Sequence, residues 1–197
     1  MDADDSFDRE MANVDWATVY ERQAARGDLA ARWCDLLDVS AGDPILEIGC
    51  GPGHTTEGLV RDGRPGAIYA FDRQRGALEY LQTYGDLGTT PVHLLQGNVS
   101  ALPVCPAEPT PTLVAFVLHH LREPATAIAA LADGLPPESP LLVVEYDPES
   151  TGAVGPPPAH RLAPADVREW LSAAGFDPQD TVTLPEELYA IVGRLHH

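Results

Sequence analysis

The stretch that decides the fold reads Asp43-Pro-Ile-Leu-Glu-Ile-Gly-Cys-Gly-Pro-Gly-His54. Its first half is mostly apolar, which is typical of a short buried strand. Glycines follow at positions 49, 51 and 53, and a helical pattern begins at Thr55. Glycine has no Cβ, so the backbone of such a strand, turn and helix can approach a nucleotide-like ligand closely. The stretch therefore predicts a nucleotide-binding α/β fold.

The spacing of the glycines separates two classes of nucleotide-binding protein. The dinucleotide fingerprint G-x-G-x-x-G would need a glycine where this chain has His54. The chain has instead Glu47-x-Gly49-x-Gly51-x-Gly53, an acidic residue followed by G-x-G-x-G. This motif resembles motif I of the class I S-adenosylmethionine (SAM) dependent methyltransferases. A tight turn without a ligand is the alternative, although three glycines in five residues cost backbone entropy that a plain turn does not require.

Two later segments resemble the same family. The predicted second strand ends at Asp72, about 20 residues beyond Gly53, where a carboxylate can accept hydrogen bonds from both ribose hydroxyls. Capping of the next helix is a compatible alternative role for Asp72. The segment Gln96-Gly-Asn-Val-Ser-Ala-Leu-Pro103 resembles the family's G-D-A-x-x-L-P, which implies that Asn98 and the backbone of Val99 bind adenine. Asn98 stands in place of the family's Asp, so its oxygen accepts without charge assistance.

The segment from Thr110 to Leu121 resembles the family's D-x-V-x-S-x-x-V-L-H-H-L, with Thr110 in place of the first Asp. The resemblance implies that backbone carbonyls near Ala115 face the methionine end of SAM. The reacting methyl group is expected here, because open α/β sheets bind ligands outside the carboxyl ends of their strands. His119 is a candidate general base, and a structural role for the histidine pair is the alternative. Tyr20 is the second catalytic candidate, with packing in the core as its alternative.

The resemblance as a whole implies SAM as cofactor and S-adenosylhomocysteine as product. The residues it implies for cofactor binding lie in the glycine motif, at the end of the second strand, after the third strand and at the end of the fourth. They are Glu47, Gly49, Cys50, Gly51, Gly53, Asp72, Arg73, Asn98, Val99 and Ala115.

The expected fold class is α/β, with a Rossmann-like, seven-stranded, mostly parallel sheet, helices on both faces and a C-terminal antiparallel strand pair. The apolar runs predict strands at 45–48, 67–71, 91–95, 110–121 with its exit, 140–146, 181–184 and 188–194. One domain is expected over 1–197, with an N-terminal helical cap at 1–38 and a Rossmann-like core at 43–194.

Composition excludes several classes of function. The formal net charge is −18, and all 12 basic residues counted as Lys and Arg are Arg. Such a surface repels polyanions, which argues against nucleic acid as a partner, and it is typical of cytoplasmic proteins in high-salt organisms. The apolar runs are too short for membrane insertion, and the acidic N-terminus is unlike a signal peptide. Cys34, Cys50 and Cys105 are widely spaced, so neither disulfides nor a metal site is expected.

By the resemblance of its motifs, the chain is identified as a small SAM-dependent methyltransferase, similar to the methyltransferase type 11 group that includes quinone-biosynthesis C-methyltransferases. The expected acceptor is a small molecule, and the expected state is a monomer or homodimer. The absence of Lys excludes the Lys-Asp-Lys-Glu tetrad of ribose 2′-O-methyltransferases. Two alternatives stay open: a SAM-binding sensor or partner subunit without turnover, and a Rossmann-type NAD(P)-dependent oxidoreductase, which the glycine spacing opposes.

Overall fold

The structure, a computed structural model, describes residues 14–99, 108 and 110–196. The strands are β1 (Pro44–Ile48), β2 (Ala67–Asp72), β3 (Val92–Gln96), β4 (Thr112–Ala115), β5 (Pro140–Tyr146), β6 (Phe176–Pro178), β7 (Val182–Leu184) and β8 (Leu188–Leu195). The α-helices are α1 (Trp16–Ala24), α2 (Ala30–Leu36), α3 (His54–Asp62), α4 (Arg75–Tyr84), α5 (Pro124–Gly134) and α6 (Pro164–Ala173). Short 3-10 helices lie at Leu118–His120 and Pro158–His160.

All the strands form one sheet in the order β3-β2-β1-β4-β5-β8-β6, and β7 also pairs with β8. The strands β1 to β5 are parallel to one another, whereas β8 runs antiparallel to β5. Both β6 and β7 pair antiparallel with β8, and Gln179 donates its backbone N–H to the Val192 carbonyl between them. These two segments thus form one interrupted strand. The predicted mostly parallel sheet with an antiparallel C-terminal end is confirmed, with β6 as an addition that the sequence pattern did not predict.

Helices cover both faces of the sheet, as predicted. On one face, α5 and α6 pack with side chains such as Leu141, Val143 and Ile191 into one buried cluster. On the other face, α2, α3 and α4 pack against the alternate side chains of the same strands, including Leu142 and Val144. Successive side chains of a strand point to opposite faces, so fully apolar strands suit a sheet buried on both sides. None of the described helices has the length and apolar content that crossing a membrane requires.

The centre of the sheet positions the glycine turn. Strand β1 lies between β2 and β4, so the strand order reverses there, at the kind of switch point where open α/β sheets bind ligands. The backbone N–H groups of Gly49 and Cys50 both donate to the carbonyl of Phe71, at 2.7 and 3.0 Å. These bonds fasten the turn after β1 to the carboxyl end of β2.

Candidate cofactor-binding site

A cleft opens at the carboxyl ends of β1, β2, β3 and β4. Its walls come from the glycine turn, the ends of these strands, the segment after β3 and one side of α1. The lining residues are Trp16, Val19, Gln23, Ile48, Gly49, Gly51, Pro52, Phe71, Asp72, Arg73, Gln74, Gly97, Asn98, Val99, Phe116, Val117, His120 and Leu121.

The glycine turn needs its glycines for two different reasons. Gly49, Gly51 and Gly53 all have positive φ, at 74°, 56° and 99°, where other residues are strained. A Cβ on Gly49 would also collide with the side chain of Val117, and one on Gly53 with the side chain of Leu81. The protein's own packing therefore requires these two glycines. The result is bare backbone along one wall of the cleft.

Asp72 lies at the junction of this turn and β2. Its Oδ2 accepts from the backbone N–H of Gly51 at 2.8 Å, and its Oδ1 accepts from that of Gln74 at 2.7 Å. Burial raises the pKa of Asp72 above its ordinary value, although these hydrogen bonds act in the opposite direction. A carboxylate offers about four lone-pair sites, so Asp72 can accept further hydrogen bonds from a ligand. Asp72 can thus bind a pair of neighbouring hydroxyls.

Glu47 lies beneath the turn and does not line the cleft. Its side chain is 3 % exposed, and its Oε2 accepts from the Thr56 hydroxyl of α3 at 2.7 Å. Burial raises the pKa of Glu47 to about 7, the Thr56 hydrogen bond opposes that rise, and the negative charge of Asp72 adds to it. Glu47 therefore joins β1 to α3 instead of facing the cleft.

The structure brings together six of the ten predicted cofactor residues, with Gly49, Gly51, Asp72, Arg73, Asn98 and Val99 lining the cleft. The lining does not include the other four, which are Glu47, Cys50, Gly53 and Ala115. The remainder of the predicted adenine segment, with Leu102 and Pro103, lies outside the described residues, and so does Cys105.

Tyr20 is outside the lining of the cleft, and its hydroxyl is already engaged. It donates to Oε2 of the buried Glu57 at 2.5 Å, and this hydrogen bond joins α1 to α3. The bond is the main reason that the pKa of Tyr20 is raised to about 12. A hydroxyl that holds its proton so firmly is a poor general base. The geometry therefore favours a structural role for Tyr20, in which its hydrogen bond joins α1 to α3.

His119 is also outside that lining, but it makes a specific pair. Its Nδ1 lies 2.6 Å from Oε2 of Glu145, and the two side chains are 6 % and 1 % exposed. The next residue, His120, lines the cleft. The 3-10 helix after β4 thus holds one histidine against the end of β5 and the other at the cleft.

Sequence reasoning predicted an N-terminal helical cap here, but it named Tyr20 and not the residues of α1 that line the cleft. Trp16, Val19 and Gln23 line the cleft, and α1 contains no buried residue. Their spacings of three and four residues place them on one face of the helix. That spacing is the signal that could have identified them, but an apolar helix face is more commonly read as core.

A smaller cavity adjoins the cleft at Phe116, which contributes to both. Phe116 follows β4 and has a φ of 62°, a strained value for a bulky residue. The Arg26 guanidinium lies 4.1 Å from the centre of its ring and donates to the Tyr146 hydroxyl at 2.6 Å. Polar groups of Gln23, His54 and Thr55 also line this cavity. Within the described part of the chain, no group of three or more metal-ligating side chains occurs.

Comparison with known proteins agrees with this geometry. Residues 45–138, from β1 to the turn before β5, match the family profile of the methyltransferase domain. The structure is similar to a SAM-dependent methyltransferase from Aquifex aeolicus, with a TM-score of 0.78 and 21% identity over 93% of this chain and 100% of that chain. Residues 45–138 are thus a methyltransferase domain, and the fold is that of SAM-dependent methyltransferases.

Two further solved structures share this fold. The glycopeptide N-methyltransferase MtfA, complexed with the SAM analogue sinefungin, gives a TM-score of 0.68 and 17% identity over 85% of each chain. The [4+2]-cyclase SpnF gives a TM-score of 0.68 and 18% identity over 85% of this chain and 80% of that chain. Among proteins with curated functions, none matches the sequence significantly.

Proposed function

We propose that this protein transfers the methyl group of SAM to a small-molecule acceptor and releases S-adenosylhomocysteine. One observation carries the proposal. The buried carboxylate of Asp72 lies beside the bare backbone of Gly49 and Gly51 and has acceptor capacity beyond its hydrogen bonds to the backbone. This donor and acceptor set fits the two hydroxyls of a ribose better than it fits a phosphate, which a carboxylate would repel.

The residues of the cleft divide into three proposed subsites. Asp72 would hold the ribose, and Asn98 with the backbone of Val99 would meet the adenine. The backbone of Gly49 and Gly51 would follow the methionine part. The positive charge of Arg26, in the adjoining cavity, supports a place there for the methionine carboxylate.

When bound, SAM supplies an electrophilic methyl group on its sulfonium. The protein's own task is then to align the acceptor with that group and to exclude water. Apolar side chains of Trp16, Val19, Phe116 and Leu121 line the cleft and support such a water-poor site. Leu121 and Phe116 flank the 3-10 helix after β4, so the acceptor would approach from this side.

Several further properties belong to the same proposal. One domain covers 1–197, with 1–38 as the N-terminal cap over the 43–194 core, and the protein acts in the cytoplasm as a monomer or homodimer. The net charge of −18 supports a small molecule in preference to nucleic acid as the acceptor. The finer resemblance to quinone-biosynthesis C-methyltransferases stays a proposal as well.

A second candidate function is SAM binding without methyl transfer, as a sensor or partner subunit. The similarity to the [4+2]-cyclase SpnF supports this second candidate, because that structure shows the same fold with another named activity. Fold alone does not establish an activity. The Rossmann-type oxidoreductase is the weaker alternative, since His54 occupies the position of the third glycine.

Two measurements on the whole protein separate these functions. Titration calorimetry with SAM, S-adenosylhomocysteine and NAD decides which nucleotide binds. Mass spectrometry of reactions with a panel of small phenols, diones, amines and thiols decides whether SAM is consumed. Binding and consumption of SAM are expected. Binding without consumption over the panel would support the second function, and preference for NAD would overturn the proposal.

A further inference from the structure

We propose that His119 and Glu145 form a proton-accepting dyad at the acceptor side of the methyl-transfer site, with His119 as the base and Glu145 as its positioning residue. The methyl acceptor then carries an exchangeable hydrogen, as a phenol or enol does, whose hydroxyl must lose a proton to become a strong nucleophile. This inference rests on the proposed methyl transfer and specifies its acceptor class.

The dyad is built from two neighbouring strand ends. Glu145 is the penultimate residue of β5, and His119 lies in the 3-10 helix that follows β4. Both carboxylate oxygens of Glu145 are used on the same residue: Oε2 lies 2.6 Å from Nδ1 of His119, and Oε1 accepts from its backbone N–H at 3.3 Å. Such a double contact fixes both the position of the residue and the direction of its ring.

The hydrogen bond also selects the tautomer of His119. A carboxylate has no proton to donate, so Nδ1 must carry the hydrogen. The neutral imidazole then has its lone pair on Nε2, which points away from Glu145. Among the described residues, Nε2 has no hydrogen-bond partner, and it is not one of the fully buried unpaired atoms. The nitrogen that could accept a proton is therefore available.

The electrostatics of Glu145 fit the same role. The carboxylate is 1 % exposed, and within the described part of the chain its only ion-pair partner is His119, with no arginine at that distance. Burying a carboxylate without a fixed counter-charge is costly. An imidazolium formed by proton transfer to His119 would supply that counter-charge, which is the role of the acidic member in a catalytic triad.

The dyad adjoins the walls of the cleft on both strands. The ring centre of His119 lies 4.0 Å from that of His120, which lines the cleft. Tyr146, directly after Glu145, contacts Phe116 with ring centres 5.2 Å apart and His119 with ring centres 6.1 Å apart. Phe116 in turn lines the cleft and the adjoining cavity. The base is therefore one residue away from surfaces that an acceptor would touch.

The proposed step balances without another reactant. The acceptor hydroxyl gives its proton to Nε2 of His119 while its electron pair forms a bond to the methyl carbon. The bond between that carbon and sulfur breaks, and its electron pair stays on sulfur. His119 later releases the proton to water. An acceptor without an exchangeable hydrogen, such as a thioether or tertiary amine, would leave the dyad without a function, which is why the dyad specifies the acceptor class.

The first test needs no acceptor. Nitrogen NMR of protein labelled at histidine, in complex with S-adenosylhomocysteine, should show His119 with a hydrogen on Nδ1 and a lone pair on Nε2. The substitution His119→Asn assigns its signals, and Glu145→Gln should shift them. A hydrogen on Nε2 with a bare Nδ1 would overturn the inference, because no proton could then be accepted on the open side.

The second test measures transfer to para-substituted phenols of graded acidity. His119→Asn keeps an N–H for Glu145 but has no base, so its rate on the least acidic phenols should fall by about 10²-fold or more. The deficit should shrink as the phenols become acidic enough to ionise unaided. His160→Asn, in an exposed histidine outside the lining, is the matched control and should keep the wild-type rates.

Calorimetry with SAM separates an effect on cofactor binding from an effect on methyl transfer. Unchanged SAM affinity in His119→Asn is expected, since the dyad is proposed to act on the acceptor and not on SAM. Equal phenol methylation by the variant and the wild type, or transfer only to thioethers and tertiary amines, would overturn the dyad while methyl transfer itself stood. If no acceptor consumed SAM, the proposed function would fail instead, and the NMR result alone would decide the state of His119.

Discussion

At the scale of single residues, Asp72 supports the proposed ribose site most directly. Its carboxylate holds the turn at Gly51 and the start of α4, and it keeps acceptor sites toward the cleft. Asp72→Ala removes those acceptors, so the affinity for SAM should fall at least about tenfold, or 1.4 kcal/mol, in titration calorimetry. Asp72→Asn keeps one oxygen, so its affinity for SAM should lie between those of Asp72→Ala and the wild type.

The matched control for this prediction is Asp43→Ala. Asp43 also accepts from a backbone N–H, that of Ser40 at 2.9 Å, but it lies before β1 and does not line the cleft. Asp43→Ala should bind SAM as the wild type does. Unchanged affinity for SAM in Asp72→Ala would show that Asp72 does not hold the ribose.

Glu47 should make the protein less stable as the pH rises. Its pKa is about 7 in the folded protein against an ordinary 4.5, so the folded chain holds this proton more tightly than the unfolded chain does. The corresponding stability is fully present below about pH 4.5 and is lost as the pH rises through about 7, an effect on the order of 3 kcal/mol.

The substitution Glu47→Gln tests this sign. Glutamine keeps an oxygen for the Thr56 hydroxyl but cannot ionise. Urea unfolding at several pH values should show the variant gaining stability relative to the wild type between about pH 5 and about pH 8. A difference that stays constant over this range would contradict the burial of an ionisable Glu47.

Comparison of Glu47 with Asp72 shows what a motif can predict at this scale. The glycine spacing and the distance to Asp72 were enough to predict residues that line one cleft. The motif also pointed to Glu47, but side chains alternate along a strand, and Glu47 shares its face with Ile45, toward α3. Alternation could have shown this orientation, whereas the role of Phe116 depends on a strained φ that no pattern reveals.

At the scale of elements, α1 is the least anchored part of the site. It has no buried residue, and the Tyr20 hydroxyl joins it to Glu57 of α3. Loss of one such hydrogen bond is worth about 1 kcal/mol. In Tyr20→Phe we therefore expect S-adenosylhomocysteine to dissociate about fivefold faster, with the core stability nearly unchanged.

Stopped-flow tryptophan fluorescence can follow this dissociation, because Trp16 of α1 lines the cleft. Tyr84→Phe is the matched control, since Tyr84 on α4 is 71% exposed. Equal dissociation rates for Tyr20→Phe, Tyr84→Phe and the wild type would contradict a covering role for α1.

The elements differ in how well the sequence predicts them. Strands β1, β2 and β5 followed from apolar runs because both faces of the sheet are buried. Strand β6 escaped prediction because Phe176-Asp-Pro178 is short and ends in proline, which resembles a loop. Helix α1 was predicted as part of an N-terminal cap, but not which of its residues line the cleft, since an apolar helix face does not show what it covers.

At the scale of the whole molecule, the net charge of −18 should make stability depend on salt. Mutual repulsion of the carboxylates is screened as the Debye length falls from about 10 Å at 0.1 M to about 3 Å at 1 M. We expect Tm to rise by about 6 °C over this range, equivalent to about 2 kcal/mol, in KCl.

Screening can be separated from the general exclusion of salt from protein surfaces. A screening effect should level off above about 1 M, where the Debye length is already shorter than most charge separations. A Tm that does not change between about 0.1 and 1 M KCl, or that falls, would contradict an electrostatic destabilisation by the acidic surface.

The central claim is that SAM lies across the carboxyl ends of β1, β2 and β3. The most direct measurement is a crystal structure of the protein with S-adenosylhomocysteine at millimolar concentration. We expect the ribose hydroxyls on the Asp72 carboxylate, the adenine beside Val99 and the homocysteine along Gly49 and Gly51. A nucleoside bound elsewhere, or a cleft that stays empty at that concentration, would contradict the proposed function and leave only the fold.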